Sequence, residues 1–348
     1  MMLQDFFRRC RQTFAQMAAI NRPLTLTVIM MLVTLAGAVV GLIVDPRVIT
    51  GASAWLKPFK FALSISIYSA TFVWLLSFVQ GHRRVVRFVA WVTAGGLLIE
   101  MVVIAMQVIR GTTSHFNVST PFNTTVWGIM GGSIVGVFTA SLVLGIVLIR
   151  QRFADPAFAW ALRIGLFISL VGMGVAFLMA AGPTSAQRAA AKAAHGMPVA
   201  GAHSVGVVDG GPGIPILGWS TVGGDLRAPH FVGLHALQLL PLFGWLLARY
   251  GTQWGAGTRK ALIAIVGLGY LGFVGLLTWQ AERGQSIVHP DARTLIAAGL
   301  LVAAIAIATL IVLVRAPRRL AAPDRDGSRP PLVTYWPMHG ASSHGSEE

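Results

Sequence analysis

The chain has 348 residues, 55% of them apolar and 11% charged, with a mean hydropathy of +0.70. Soluble domains carry about 25% charged residues, so this composition excludes one. The formal charge is +15, the 39 glycines follow no G-X-Y period, and the single cysteine, Cys10, excludes a disulfide framework or a paired-cysteine metal knuckle.

Residues 1–22 place Leu3, Phe6, Phe7, Cys10, Phe14 and Met17 on one helical face, with Arg8, Arg9 and Arg11 elsewhere. That pattern predicts an amphipathic segment lying in the cytoplasmic interface. The apolar run that follows is long and lacks a small-x-small cleavage site, so it reads as a retained anchor. Spanning a bilayer takes about 20 apolar residues. Eight stretches qualify: Leu24–Val44, Phe61–Val79, Phe88–Ile109, Val126–Ile149, Phe158–Ala181, His230–Ala248, Ala261–Gln280 and Leu295–Val314. Gly182–Ala228 is a 47-residue connection with ten glycines and a short helical piece, Ser185–His195. A connection of that length is read as a lid. Residues 321–348, rich in Pro, Ser and charge, are read as a disordered cytoplasmic tail.

With both termini inside, 18 of the 27 Lys and Arg fall on the inner side and the acidic residues divide evenly. The inner face is then +12 and the outer +3, as expected of a multi-pass protein of a plasma (inner) membrane. The basic charge therefore reports topology, and no nucleic-acid partner is expected. Small residues Gly128, Gly132, Gly136 and Ala140 predict a close-packed ridge on the fourth span.

Two short patterns recur in one register. Gln107-Val-Ile-Arg110-Gly111 leads to Ser114 and His115, and Gln280-Ala-Glu-Arg283-Gly284 leads to Ser286 and His289. Leu56-Lys57-Pro-Phe-Lys60-Phe61 is echoed by Leu226-Arg227-Ala-Pro-His230-Phe231. The predicted fold is thus an all-α integral membrane protein of eight transmembrane helices. They form two parallel four-helix repeats, residues 23–152 and 153–320, with both termini inside.

Charged and amide side chains within spans normally face protein or a water-filled cavity. Glu100 lies about 13 Å below the outer end of the third span, with Gln107 two turns further on. The second span presents Lys57, Lys60, Ser64, Tyr68 and Thr71 at helical spacing, and the sixth presents His230, His235 and Gln238. Arg110, Ser114, His115, Asn117, Arg227, Gln280, Arg283 and His289 surround the outer ends. Together they predict a polar, cationic pocket opening outward. Lysines and arginines there would hold a small anionic solute or a lipid headgroup, and Glu100 and His235 are the candidate catalytic or proton-handling groups. The plainer reading ties Glu100 to Lys60, Gln107 or Tyr68 as interhelical glue and leaves Arg110 and Arg283 reaching for headgroups.

Two alternatives stand beside that reading. Duplicated four-helix bundles hold haem through histidines, and His115, His235 and Glu100 form a candidate divalent-metal set for an oxidoreductase or hydrolase. A non-catalytic partner of another membrane subunit, or a homo-oligomer, would use the same polar stripes as interfaces. No P-loop, dinucleotide fingerprint, H-E-x-x-H or G-x-S-x-G occurs.

Overall fold

The computed structural model describes residues 2–181, 185–193 and 199–317. Its elements, in chain order, are α1 (Met2–Ile20), α2 (Arg22–Val44), β1 (Val48–Ile49), β2 (Ala52–Ser53), α3 (Leu56–Leu76), α4 (Arg83–Ile109), α5 (Pro121–Arg150), α6 (Pro156–Met179), α7 (Ser185–Ala193), β3 (Ser204–Val205), β4 (Gly224–Asp225), α8 (Arg227–Tyr250), α9 (Ala256–Glu282) and α10 (Ala292–Arg315). Eight of these helices, all but α1 and α7, are long and apolar enough to cross a membrane. Every boundary lies within five residues of the span read from the sequence. The expected tail, residues 321–348, lies outside the described residues, as do 182–184 and 194–198 of the long connection.

The helices begin where a side chain can satisfy their first free N–H groups. Asn21, Thr120, Asp155 and Asp291 cap α2, α5, α6 and α10 by accepting from the backbone N–H of Leu24, Asn123, Ala157 and Thr294. Prolines occupy the first turn of α2, α5 and α6, where the missing N–H costs nothing. At their far ends α4 and α9 stop in the same way. Gly111 and Gly284 both adopt φ of +70°, and the next residue's N–H returns to a carbonyl five positions back: Thr112 to Gln107 at 3.0 Å, Gln285 to Gln280 at 3.2 Å. A side chain at either glycine would strain that turn.

Packing follows one scheme in both halves. In the first, α2 packs on α3 and α4, while α4 also packs on α3 and α5. In the second, α6 packs on α8 and α9, while α9 also packs on α8 and α10. The α5–α6 contact joins them, and α1 lies against α2 and α3 with Met17 buried and Phe14 and Ile20 against the core. The side chains of Leu3, Phe6 and Phe7 lie outside the described residues; Cys10 is half-buried. Helix α10 rests on α9 alone among its close contacts and buries only Thr294. Its Leu295, Ile296, Leu300, Val302 and Leu310 face outward. An apolar surface on that scale fits a multi-pass membrane protein in lipid.

The expected small-residue ridge on α5 is a contact only in part: Ala140 is fully buried in the core, and a Cβ at Gly136 would stand 3.4 Å from the Val92 side chain of α4. A Cβ at Gly128 or Gly132 would meet nothing within 4 Å. The close crossing is α6 on α8, where a Cβ at Gly172 would stand 2.6 Å from the Gly233 backbone and one at Gly165 would stand 2.8 Å from the Ala236 carbonyl oxygen. The two backbones nearly touch there, and no run of regularly spaced glycines announces it.

Candidate functional site

Consecutive spans reverse direction, so the connections at 45–55, 110–120, 180–226 and 283–291 share one end of the bundle, called here the loop end. The described part of the long connection covers it. Val199 bridges to Asn117, Ala200 N–H donates to Phe116 O (2.8 Å), and β3 pairs with β4. A tight turn at 213–220 directs two backbone carbonyls inward. Lys60 Nζ donates to Leu217 O (2.8 Å), and Arg227 Nη2 donates to Gly218 O (2.5 Å). Ser286 Oγ donates to Ser220 O (3.0 Å), which ties the α9–α10 connection to the same lid.

Beneath the lid, Glu100 is 2% exposed. The 110–120 connection folds back to reach it, so His115 Nε2 sits 3.1 Å from Glu100 Oε1. Ser114 Oγ lies 3.0 Å from His115 Nδ1. Burial first, then the Lys57 charge, push the His115 pKa below its ordinary 6.5, with Glu100 opposing. The imidazole is therefore neutral at pH 7, with Nε2–H donating to the carboxylate and Nδ1 accepting from the serine hydroxyl. Phe61, Phe116 and Trp127 surround the ring, and His203 lies 6.3 Å away, centroid to centroid.

The second oxygen of Glu100, Oε2, is buried without a hydrogen-bond partner among the described residues. Lys57 is half-buried and makes no hydrogen bond or ion pair with them either. Its ammonium stands 5.9 Å from the Phe61 ring centroid and lies in the fields of Glu100, Arg227, Lys60 and Asp209. So a buried carboxylate oxygen and an unpartnered ammonium act on each other through space, without contact.

His203 and Asp209 were not singled out in the sequence, because a histidine and an aspartate in a glycine-rich connection carry no periodicity. Here His203 Nδ1 donates to Asp209 Oδ2 (2.7 Å), while Asp209 accepts the backbone N–H of His203 and of Ser204. Burial dominates His203 and pulls its pKa to about 4 despite that carboxylate. Burial also opposes the Asp209 charge, but the hydrogen bonds and charge of His203 outweigh it and hold that carboxyl well below the usual range.

The remaining expected residues form separate networks. Gln107 is fully buried, donates to Asn123 Oδ1 (3.1 Å) and accepts from Arg110 (2.7 Å), whose guanidinium covers the Phe122 ring. Asn117 Nδ2 donates to Thr112 Oγ1 (3.0 Å). Gln280 donates to Ser286 O (2.9 Å), Arg283 pairs with Asp291 and covers Trp279, and His289 is exposed. Arg227 pairs with Asp225 at 2.6 Å, and His230 Nδ1 donates to Gly172 O at 2.7 Å across the close α6–α8 crossing. His235 lies 3.3 Å from Gln238, which donates to Thr71 at 3.0 Å. It does not join Glu100 and His115, and no group of three metal-ligating side chains occurs among the described residues. Tyr68 pairs with Ser141 (2.7 Å) rather than Glu100.

The positive mouth expected from counting charges is thus largely tied internally at Arg110, Arg227 and Arg283, and Lys57 has no hydrogen-bond or ion-pair partner among the described residues. No protein-family model, curated protein or solved structure matches the chain, so the cluster is read from its own chemistry.

Proposed function

We propose that this multi-pass membrane protein binds a small oxyanion beneath the loop-end lid and carries it across the membrane. The observation that carries the reading is that, among the described residues, Lys57 has no acceptor and Glu100 Oε2 has no donor, although each lies in the other's field. An oxyanion bearing its own O–H satisfies both, with its charged oxygens accepting from Lys57 and its hydroxyl donating to Glu100. Ser114 and His115 orient the carboxylate, and Lys60 and Arg227 hold the lid turn closed. Glu100 is then the group that takes part in proton exchange with the solute. Gln107, Arg110, Asn117, Gln280 and Arg283 brace the ends of α4 and α9 around that path.

We read the two halves, 23–152 and 153–320, as a parallel duplication. The matched packing scheme, the matched glycine-capped ends of α4 and α9, and a two-residue antiparallel strand pair before both α3 and α8 support it. The lysine and arginine asymmetry supports a loop end facing outward from a plasma (inner) membrane, with both termini inside.

The test is thermal unfolding of the detergent-purified full chain in bicarbonate, phosphate or lactate, which carry a donor, against acetate and chloride, which do not. The donor-bearing anions should stabilise the parent, by about 2.7 kcal/mol at a hundredfold excess over Kd. Lys57→Gln should abolish the effect and Lys57→Arg keep part of it. Equal stabilisation of Lys57→Gln would overturn the reading. Stabilisation by an anionic lipid alone would make a lipid headgroup the ligand.

A second reading rests on His203 and His230, whose Nδ1–H groups are held by oxygen while Nε2 makes no hydrogen bond among the described residues. An oxygen that accepts from one ring N–H fixes the tautomer and orientation of a histidine whose other nitrogen binds a metal or haem iron. A stoichiometric divalent metal or a haem absorbance band in the purified protein would move the assignment to an oxidoreductase or hydrolase.

A further inference from the structure

The opposite end of the bundle carries a feature that the loop-end reading does not use. An open groove of about 620 Å³ runs between the end of α1 and the starts of α2 and α4. Arg22, Arg83 and Arg87 line it, with Asn21. All three arginines are exposed, and none makes a hydrogen bond or ion pair with a described residue. The acidic residues described at this end are already engaged, Asp5 with Arg8 and Asp155 with Arg259. Among the described residues, no acidic side chain at this end remains to balance the three guanidinium groups, which leaves them open to an anionic ligand.

The remaining wall selects the kind of anion. Arg83, Arg87 and Trp91 are spaced four apart, so they form one stripe down α4. Trp91 is 63% exposed and lies about 12 Å along the helix from Arg83. Ile20, Leu76, Val79, Val86 and Ala90 complete a hydrocarbon surface beneath the arginines. Charge at the mouth and hydrocarbon below match an amphiphile with an anionic head, and tryptophan is the residue that favours this depth. A guanidinium fork fits phosphate in particular.

We propose that this groove holds one anionic phospholipid, its phosphate between Arg22, Arg83 and Arg87 and its first acyl carbons along Val79, Val86 and Trp91. The site is independent of the loop-end cluster, and Lys57→Gln leaves it unchanged. The test is native mass spectrometry of the delipidated full chain in neutral detergent. Phosphatidylglycerol, phosphatidylcholine or soluble glycerol phosphate is added at equal concentration. Phosphatidylglycerol should be retained about tenfold more than phosphatidylcholine, and Arg83→Gln/Arg87→Gln should lower that retention about tenfold, the equivalent of one charge-assisted contact. Arg22→Gln should lower it in the same direction. Arg84→Gln/Arg150→Gln, which removes two exposed arginines outside the groove, should leave it unchanged. Equal retention of the two lipids, or an equal loss in the second pair, would overturn the site. Glycerol phosphate bound as tightly as phosphatidylglycerol would also overturn it, since the groove would then take a soluble phosphate.

Discussion

Replacing Gly172 by alanine places a methyl group 2.6 Å from Gly233 Cα and carbonyl carbon and 2.7 Å from Leu234 N. All three are backbone atoms of α8, so no side chain can rotate away. Restoring ordinary contact requires the helices to part by about 1 Å, and overpacking of this kind costs about 1–3 kcal/mol. The same movement stretches the 2.7 Å bond from His230 Nδ1 to Gly172 O, worth about 1 kcal/mol more. Alanine returns some 0.5–1 kcal/mol through helix propensity, so the net loss is about 1–3 kcal/mol. The control is Gly128→Ala on α5, where a Cβ meets nothing within 4 Å and only the propensity gain remains. Unfolding of both variants in mixed micelles, titrated with denaturing detergent, measures the difference. Equal stability, or a more stable Gly172→Ala, would refute the close crossing.

Three further outcomes follow from the same geometry. The closed lid keeps His203 neutral with a pKa of about 4 against an ordinary 6.5, so an open lid binds a proton that the closed one excludes. Lid stability is full above about pH 6.5 and falls toward pH 4, while the share from Asp209, held lower still, is lost only below its ordinary 3.8. Hydrogen exchange of residues 199–226, corrected for intrinsic rates, should show opening rise at least about tenfold across that window. His203→Gln should flatten the dependence, and a pH-independent parent would contradict it. Asp225→Asn removes the charge that holds Arg227 and weakens acceptance from Ser220 N–H, on a side chain 1% exposed beside one 29% exposed. A loss of about 2 kcal/mol is expected, below the range for a fully buried pair because the arginine keeps some water. It should appear as faster proteolysis of the 213–220 turn. For topology, an impermeant maleimide applied to intact cells should spare the native Cys10, and should label a Val208→Cys variant made in a Cys10→Ser background. The reverse pattern would invert the orientation.

Much of the architecture is legible in residue order because bilayer thickness sets span length and lipid demands apolar surface. Helix starts are legible too, from caps such as Asn21-Arg-Pro23 and Asp155-Pro156. The repeated Gln-x-x-Arg-Gly marks two helices that do end in the same left-handed glycine turn. What stays hidden is pairing across space. Glu100 meets His115 because a connection turns back into the bundle, and no helical period encodes such a reversal. His203 and Asp209, six positions apart, come together because the chain turns back just after the two-residue strand β3. The small-residue pattern on α5 marks a contact at Gly136 and Ala140 but not at Gly128 and Gly132, which face open space, while Gly172 and Gly233 touch from unremarkable surroundings. His235 shares a span with His230, but it sits nearly half a turn around the helix and bonds to Gln238, which in turn bonds to Thr71 on α3.

We propose that Lys57 and Glu100 together hold an oxyanion and its proton, and uptake of labelled bicarbonate, phosphate or lactate into proteoliposomes of the parent, Lys57→Gln and Glu100→Gln, measured across a pH series, tests it directly. The parent should take up at least one of these anions, and Lys57→Gln should abolish that uptake. In Glu100→Gln uptake should persist at a reduced rate and lose its dependence on pH. Uptake and pH dependence unchanged in both variants, or no uptake by the parent, would contradict it.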